Sequence, residues 1–367
     1  MANDLSTPLT GRKRQTGIRR HLPVARALVS VLVIIGGAAA LRIITVDDPD
    51  GGRPTAEVPI TSTRDANAVA NAVATGPVTI TADPQQYPTG TAPTPVPSVA
   101  SLPDLFGALP DLSEETGDGA LPRISATGLT PFAAYSAPAP QAAASGAPKV
   151  AIVVSGLGIN EQASLDAIDQ LPEAITMGFA PYGKSLVTTV AAARAGGHEV
   201  LLEIPLEPFD YPQNDPGPQT LLTGEQPRAN LEKLFWLMSR FGGYFGLMNN
   251  MGARFTASAA DFAPVMEELG ARGLGYLDDG SSNRSVAPQL AQTNKVPFGR
   301  VDAAIDANPS PQSIQSALAS LEQKAKQNGA AIGMVSALPL SVAAVAEWAR
   351  GLEERGLMLV PASALMQ

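Results

Sequence analysis

Carboxylate, amide and guanidinium side chains follow three of the short apolar runs in the second half of the chain. Grouped by the run that each follows, they are Glu203 and Glu207, then Asn249, Asn250 and Arg254, then Asp278 and Asp279. Carboxylates can hold a proton or activate water for hydrolysis, while amides and guanidinium groups orient polar ligands. We therefore predict Glu203 and Asp278 as candidate catalytic residues and the other five as candidate substrate-binding residues.

The composition excludes several other kinds of chemistry. The 367 residues include no cysteine and only two histidines, His21 and His198. A disulfide framework, a zinc ribbon, an iron–sulfur cluster and a cysteine nucleophile are therefore impossible. His21 lies in a basic N-terminal arm and His198 precedes a predicted strand, where we expect a structural role, so no Ser–His–acid arrangement is available. The net charge of −9 argues against a nucleic-acid partner.

The sequence predicts alternating strands and helices over residues 149–367, and these elements position the seven candidate residues. The apolar runs predict strands at 150–154, 174–179, 200–204, 245–248, 275–277, 297–301, 330–335 and 357–360. Stretches with helical periodicity lie between them, at 161–170, 184–195, 227–241, 258–272, 284–292, 311–327 and 341–355. Parallel α/β proteins bind ligands at the carboxyl ends of their strands, where all seven candidates lie. The proline-rich segment 208–218 is predicted to form a pocket rim there.

Two architectures fit this pattern: an open doubly wound sheet, and a deformed (β/α) barrel of seven or eight parallel strands. The segment after the first strand, residues 155–158, reads Ser-Gly-Leu-Gly and lacks the third glycine of a dinucleotide-binding turn. We therefore favour the barrel.

Residues 1–26 and 27–46 predict a membrane segment behind a basic arm. The arm carries six arginine and lysine residues against one acid, Asp4. The apolar stretch 27–46 has Arg42 as its one charged residue, and it reaches the ~20 residues that a membrane helix needs if the Arg42 side chain extends to the far interface. The positive charges predict a cytoplasmic arm, a single-pass inner-membrane anchor and a periplasmic C-terminal domain. A cleaved signal peptide, suggested by the alanines at 38–40, and an ordinary buried helix are the alternatives.

Residues 47–148 predict a linker between the membrane segment and the domain. The stretch is rich in proline, alanine and threonine, is acidic, and has no sustained apolar period. Such a segment cannot bury enough apolar surface to offset its ordering entropy. We therefore predict a disordered linker here and a folded domain over 149–367.

Four motifs give the domain a family resemblance. They are GHEVLLEIPLEP at 197–208, DPGPQTLLTG at 215–224, NNMGARFT at 249–256 and LD at 277–278. With these motifs, residues 149–365 resemble the divergent polysaccharide deacetylases, which are relatives of the NodB-like carbohydrate esterases. The resemblance implies a deformed (β/α) barrel that removes N-acetyl groups from cell-envelope sugars, using a divalent metal held by acidic residues and histidines to activate water.

The chain departs from the family pattern where the metal ligands are expected. Ser155 and Gly156 stand where the family has an Asp-Asp pair, and Glu203 stands where it has a histidine. Met251 follows Asn250 directly, without the family's intervening histidine, and residues 333–335 read Gly-Met-Val instead of Gly-His-Pro. We therefore expect no cofactor. The open alternative is a hard divalent cation bound through the oxygen atoms of four carboxylates, those of Glu203, Glu207, Asp278 and Asp279.

Two functions follow from this comparison. The first is a cell-envelope polysaccharide deacetylase, a C–N amide hydrolase, that is impaired or inactive. The second is a non-catalytic module, anchored in the inner membrane, that binds a glycan or a protein. The expected partner is accordingly a cell-envelope glycan or an envelope protein, with membrane contact through residues 27–46.

Overall fold

The computed structural model describes residues 108–117, 119–139 and 146–367. The predicted arm at 1–26, the predicted membrane segment at 27–46 and most of the predicted linker lie outside these ranges. In the ranges that are described, no helix has both the length and the apolar character needed to cross a bilayer.

Eleven strands and eight helices make up the described part of the chain, with three short 3₁₀ turns in addition. The strands are β1 Ser113–Thr116, β2 Gly119–Pro122, β3 Lys149–Leu157, β4 Thr176–Phe179, β5 Val200–Leu206, β6 Gly246–Met251, β7 Gly275–Asp278, β8 Phe298–Arg300, β9 Ala303–Ala304, β10 Ala330–Ser336 and β11 Met358–Leu359. The helices are α1 Pro131–Tyr135, α2 Glu161–Gln170, α3 Leu186–Ala195, α4 Pro227–Met238, α5 Ala259–Arg272, α6 Ala287–Asn294, α7 Pro311–Asn328 and α8 Pro339–Arg350.

Strands β3 to β11 form one parallel sheet that curls into a deformed barrel. The strand order is β8-β7-β6-β5-β4-β3-β10-β9, with β11 paired to the start of β3. Only two residues separate β8 from β9 at the two ends of this order. The N–H of Val301 donates to the carbonyl of Asp278 (2.8 Å), and that of Asp302 donates to the carbonyl of Ile332 (2.7 Å). The two edges therefore meet, and the prediction of a parallel, barrel-like α/β fold is confirmed.

Alternation along each strand divides the core into an inner and an outer layer. The inner layer, inside the barrel, contains Ala151, Val153, Leu201, Met248, Leu277 and Ile332. The outer layer, between the strands and the helices, contains Val150, Ile152, Val154, Leu202, Leu247 and Tyr276. Both faces of the strands are apolar, which is why the strands appear in the sequence as continuous apolar runs.

The boundaries of α6 and of the sixth predicted strand differ from the sequence prediction. Helix α6 starts at Ala287 instead of at residue 284, because the hydroxyl groups of Ser282 and Ser285 accept the N–H groups of Arg284 and Ala287 and hold a turn there. The sixth predicted strand, 297–301, corresponds to β8, and β9 follows it unpredicted, because the chain changes partner there from β7 to β10.

The prediction of a disordered linker over 47–148 does not hold for residues 108–117 and 119–139. Strands β1 and β2 form an antiparallel hairpin, and α1 follows it. Leu112, Leu121 and Tyr135 are buried, and Phe132 packs edge-on against Phe245 at 5.8 Å between ring centroids. The segment is rich in proline, alanine and threonine and has few apolar side chains. Those few are buried against the barrel at the end opposite the mouth.

Candidate functional site

The carboxyl ends of the barrel strands and the loops that follow them form one face, which we call the mouth. Register places Glu203 beside Met248, Asn250 beside Pro205, and Ser155 beside Ser336. Paired residues in a parallel ladder point to the same face. Because Met248 belongs to the inner layer, Glu203 and Asn250 also face the inside of the barrel.

Glu203 is a buried carboxyl group at the inner side of the mouth. Its side chain is 3% exposed, and its Oε1 accepts the N–H of Gly156 at 2.6 Å. Gly178 leaves space for it, since a Cβ there would lie only 3.0 Å from Oε1. Burial raises the pKa of Glu203 from its ordinary value of 4.5 to about 7, although the Gly156 N–H lowers it in part. The group therefore titrates near neutral pH.

Glu207 is held by internal contacts at the start of the rim loop. Its Oε2 accepts both the N–H (2.6 Å) and the hydroxyl (2.7 Å) of Thr223. Its Oε1 lies 3.1 Å from Nη1 of Arg254, whose side chain is 51% exposed. Glu207 thus fixes the rim and positions a guanidinium group that solvent can reach.

Asn249 and Asn250 are neighbours in β6 but lie on opposite faces of the sheet. The Oδ1 of Asn249 accepts the Tyr276 hydroxyl (2.9 Å) and the N–H of Asp279 (3.0 Å), and its Nδ2 donates to the carbonyl of Met251 (2.6 Å). Three hydrogen bonds occupy this buried amide, which therefore orders the loops beside it. Asn250 faces the mouth and is half-buried.

Asp278 is the last residue of β7, and Asp279 is the first residue of the loop that follows. Asp278 is 1% exposed, its Oδ1 accepts the N–H of Gly280 (2.8 Å), and its Oδ2 has no hydrogen-bond partner in the described ranges. Asp278 lies on the same outward face as Tyr276, whereas Glu203 faces inward. Burial, with a smaller effect of the Asp278 charge, raises the pKa of Asp279. The two predicted catalytic carboxylates therefore do not converge.

The rim loop packs against the end of β4. The hydroxyl of Tyr182 donates to the carbonyl of Pro218. Gly217 has a φ of +134° and lies against the Tyr182 ring, which a Cβ would approach to 2.8 Å. The sequence indicates the rim through its prolines, but it does not indicate Tyr182 as its support.

The described side chains do not fit the divalent metal that the family resemblance implies. No three or more His, Cys, Asp or Glu residues of the described ranges come together as a group that could hold an ion. Glu207 pairs with Arg254 and Thr223, and Asp278 faces away from Glu203. The four-carboxylate cation site considered from the sequence is thus not assembled.

Glu199 is a buried carboxyl group that the sequence reasoning missed, and it lies at the opposite end of the barrel. It accepts the Thr176 hydroxyl (2.7 Å) and the N–H groups of Ala137 and Ser363 (3.0 Å each). Burial raises the pKa of Glu199. Glu199 thus joins the segment around Ala137 and the C-terminal turn around Ser363 to the barrel. The neighbouring His198 is structural, as expected, with Nδ1 donating to the carbonyl of Ile175 (2.8 Å).

Comparison with known proteins identifies the family. The sequence model of the divergent polysaccharide deacetylases matches residues 152–366. The chain belongs to that family. The resemblance inferred from the four motifs is thereby confirmed.

Two proteins that are similar to this chain are described as uncharacterized. The crystal structure of ATU2773 from Agrobacterium tumefaciens C58 is 42% identical, with a TM-score of 0.65, over 67% of this chain and 99% of that one. YibQ of Escherichia coli K12 is 24% identical over 219 residues, which are 59% of this chain and 67% of YibQ. The catalytic domain of a peptidoglycan N-acetylglucosamine deacetylase from Eubacterium rectale ATCC 33656 is 15% identical, with a TM-score of 0.40 over 62% of this chain and 91% of that one.

Proposed function

We propose that this divergent polysaccharide deacetylase domain is a glycan-binding module of the cell envelope, without metal-dependent hydrolysis. The observation that carries the proposal is the use of the candidate ligands in internal contacts. Glu207 holds Arg254 and Thr223, and Asn249 holds the loops after β6 and β7. A deacetylase that activates water needs these polar atoms, or histidines in their place, directed at a metal.

The groups left at the mouth suit a polyhydroxylated ligand. The exposed part of the Arg254 guanidinium donates, Asp279 accepts, and the Asn250 amide does both. Sugar hydroxyl groups also donate and accept, so they can pair with this mixture. The rim loop over 208–218 bounds the same face and limits how a chain of sugars can lie on it.

Titration calorimetry with chitotetraose and with soluble peptidoglycan fragments tests this proposal. We expect saturable binding and no release of acetate, with or without added zinc or manganese. Arg254→Ala and Asn250→Ala should each weaken binding by about fivefold or more, the cost of a lost polar contact. Arg228→Ala is the matched control, since Arg228 forms an exposed pair with Glu232 on α4. Stoichiometric metal uptake together with acetate release would show that the proposal is wrong.

A second candidate function is metal-independent acid–base hydrolysis by Glu203. A carboxyl group whose pKa is about 7 can both donate and accept a proton at neutral pH, and this one lies at the mouth. Acetate release that persists in a chelator and disappears in Glu203→Gln would support it. Equal release from the wild type and Glu203→Gln, or none from either, would exclude it.

The envelope location is part of the proposal. Its support is the basic arm at 1–26 followed by the apolar stretch at 27–46. An anchored domain behind a linker within residues 47–107 can reach glycan at some distance from the inner membrane.

A further inference from the structure

Large exposed apolar side chains are concentrated on one part of the mouth. Eight such side chains occur among the described residues, and five of them follow neighbouring strands at their carboxyl ends. We call these five the apolar arc: Ile159 (61% exposed), Val187 (54%), Phe209 (58%), Leu338 (46%) and Leu340 (41%). Single exposed apolar residues are ordinary on protein surfaces, but a contiguous group marks an interaction site.

The arc lies on four loops and on the first turns of the helices that follow them. These loops follow β10, β3, β4 and β5, which are adjacent in the sheet, and contacts join each loop to the next. The N–H of Ala337 donates to the carbonyl of Ser155 (2.9 Å) and joins the first two loops. Gly158 packs against Leu186, whose Cδ2 would lie 2.6 Å from a Cβ at that glycine, so the second and third loops also touch. The Tyr182 hydroxyl donates to the carbonyl of Pro218, so the loop after β4 also contacts the loop after β5.

Charge on the same four loops restricts what can cover the arc. On these loops and first turns Glu161, Asp210 and Asp215 are exposed acids, whereas Lys184 and Arg228 are exposed bases, and Arg228 is paired with Glu232. A second copy of the chain would bring acidic groups against acidic groups, and anionic lipid would be repelled in the same way. A cationic partner is attracted.

The apolar character of the arc favours protein over sugar. Four of its five side chains are aliphatic. Sugar hydroxyl groups laid against them would lose water without gaining hydrogen bonds, which is costly. Aliphatic side chains of a protein would instead remove apolar surface from water on both sides, which is favourable by about 25 cal/mol per Å².

We propose that the apolar arc binds a protein segment that presents aliphatic side chains flanked by lysine or arginine. The arc includes none of the three side chains assigned to glycan binding, those of Asn250, Arg254 and Asp279, and it shares with that face only Phe209 of the rim loop. The inference therefore goes beyond the proposed function and does not depend on it.

Fluorescence anisotropy with a labelled amphipathic peptide of leucine and lysine tests the inference on the full chain in detergent. The Ile159→Ser/Leu338→Ser double variant should bind this peptide about tenfold more weakly or worse, as expected for loss of two central contacts. Leu129→Ser is the matched control, because Leu129 is 42% exposed near the other end of the barrel. It should bind the peptide like the wild type, and a leucine–glutamate peptide should bind the wild type more weakly than the leucine–lysine peptide.

Charge reversal and two further ligands complete the test. Glu161→Lys should shift preference toward the leucine–glutamate peptide, and both this variant and the Ile159→Ser/Leu338→Ser double variant should keep the unfolding midpoint and the chitotetraose affinity of the wild type. Equal peptide binding by the double variant and the wild type would overturn the proposal. Arc-dependent binding to phosphatidylglycerol vesicles, or a parallel loss of chitotetraose binding, would overturn it as well.

Discussion

At the scale of single residues, Asn249 and Asn250 are adjacent asparagines in β6 that have different roles. Asn249 makes three hydrogen bonds in the buried outer layer, and Asn250 faces the mouth. Asn249→Ala leaves Tyr276 and Asp279 without an acceptor, so it should lower the free energy of unfolding by about 2–4 kcal/mol. Asn250→Ala should change it by no more than ~0.5 kcal/mol. Urea denaturation measures both, and equal effects would contradict the assignment.

Glu203 makes stability depend on pH. Its pKa in the folded state is about 7, above the ordinary value of 4.5. The group therefore contributes stability that is fully present below pH 4.5 and is lost as pH rises through 7. The lost contribution is about 3 kcal/mol. Glu203→Gln, which stays neutral, should keep this stability. Thermal or urea unfolding across that range should show that the variant becomes more stable relative to the wild type as pH rises. If the free energy of unfolding of both proteins changed with pH in parallel, the raised pKa of Glu203 would be wrong.

The sequence indicates which residues gather at the mouth, but not what each of them contacts. Six of the seven candidates lie near or just after the carboxyl end of a strand, as predicted from the carboxyl-end rule for parallel sheets, whereas Glu203 lies at the middle of β5. The partners of Glu207 and Asn249 come from other loops, and the outward direction of Asp278 depends on the register of β7. A shift of one residue reverses the face of a strand residue, so these details need the fold itself.

At the scale of elements, the strands were predictable and the N-terminal hairpin was not. Strands β3, β5 and β10 are apolar on both faces, which gives a strong signal. Residues 108–139 bury only a few apolar side chains within a biased composition. Their order comes from contacts with the barrel that local sequence cannot report.

Arg272 fastens the hairpin to α5. Its guanidinium bonds Glu114 and the carbonyl of Pro122 (2.7 Å each) and Glu268 (2.6 Å), and lies over the ring of Phe235 at 5.3 Å. Because Arg272 is only 12% exposed, Arg272→Ala should cost about 2–4 kcal/mol of unfolding free energy. It should also speed proteolysis within 108–139, as followed by mass spectrometry.

Arg228→Ala is the matched control for this element. Arg228 pairs with Glu232 on α4 at 90% and 63% exposure, so its loss should change stability by no more than ~0.5 kcal/mol. If Arg272→Ala behaved like Arg228→Ala, the hairpin would not depend on this contact.

At the scale of the whole molecule, membership of the family does not determine the chemistry of the site. The sequence match over residues 152–366 identifies a divergent polysaccharide deacetylase domain. Two of the predicted site residues, Glu207 and Asn249, are used instead in the internal bonding of the loops. A fold can retain a ligand-binding face after its chemistry changes, which is why we argue function from the site and not from the family.

The distribution of charge along the chain predicts how the molecule is oriented in the envelope. A reporter enzyme active only outside the cytoplasm, fused after Val46, should be active, and the same reporter fused after Leu22 should be inactive. Replacing the six basic residues of 1–26 by glutamine should reduce activity of the Val46 fusion, because basic residues keep the arm in the cytoplasm. Equal activity with and without them would show that another signal sets the orientation. An inactive Val46 fusion would reject the periplasmic domain and, with it, the envelope glycan as ligand.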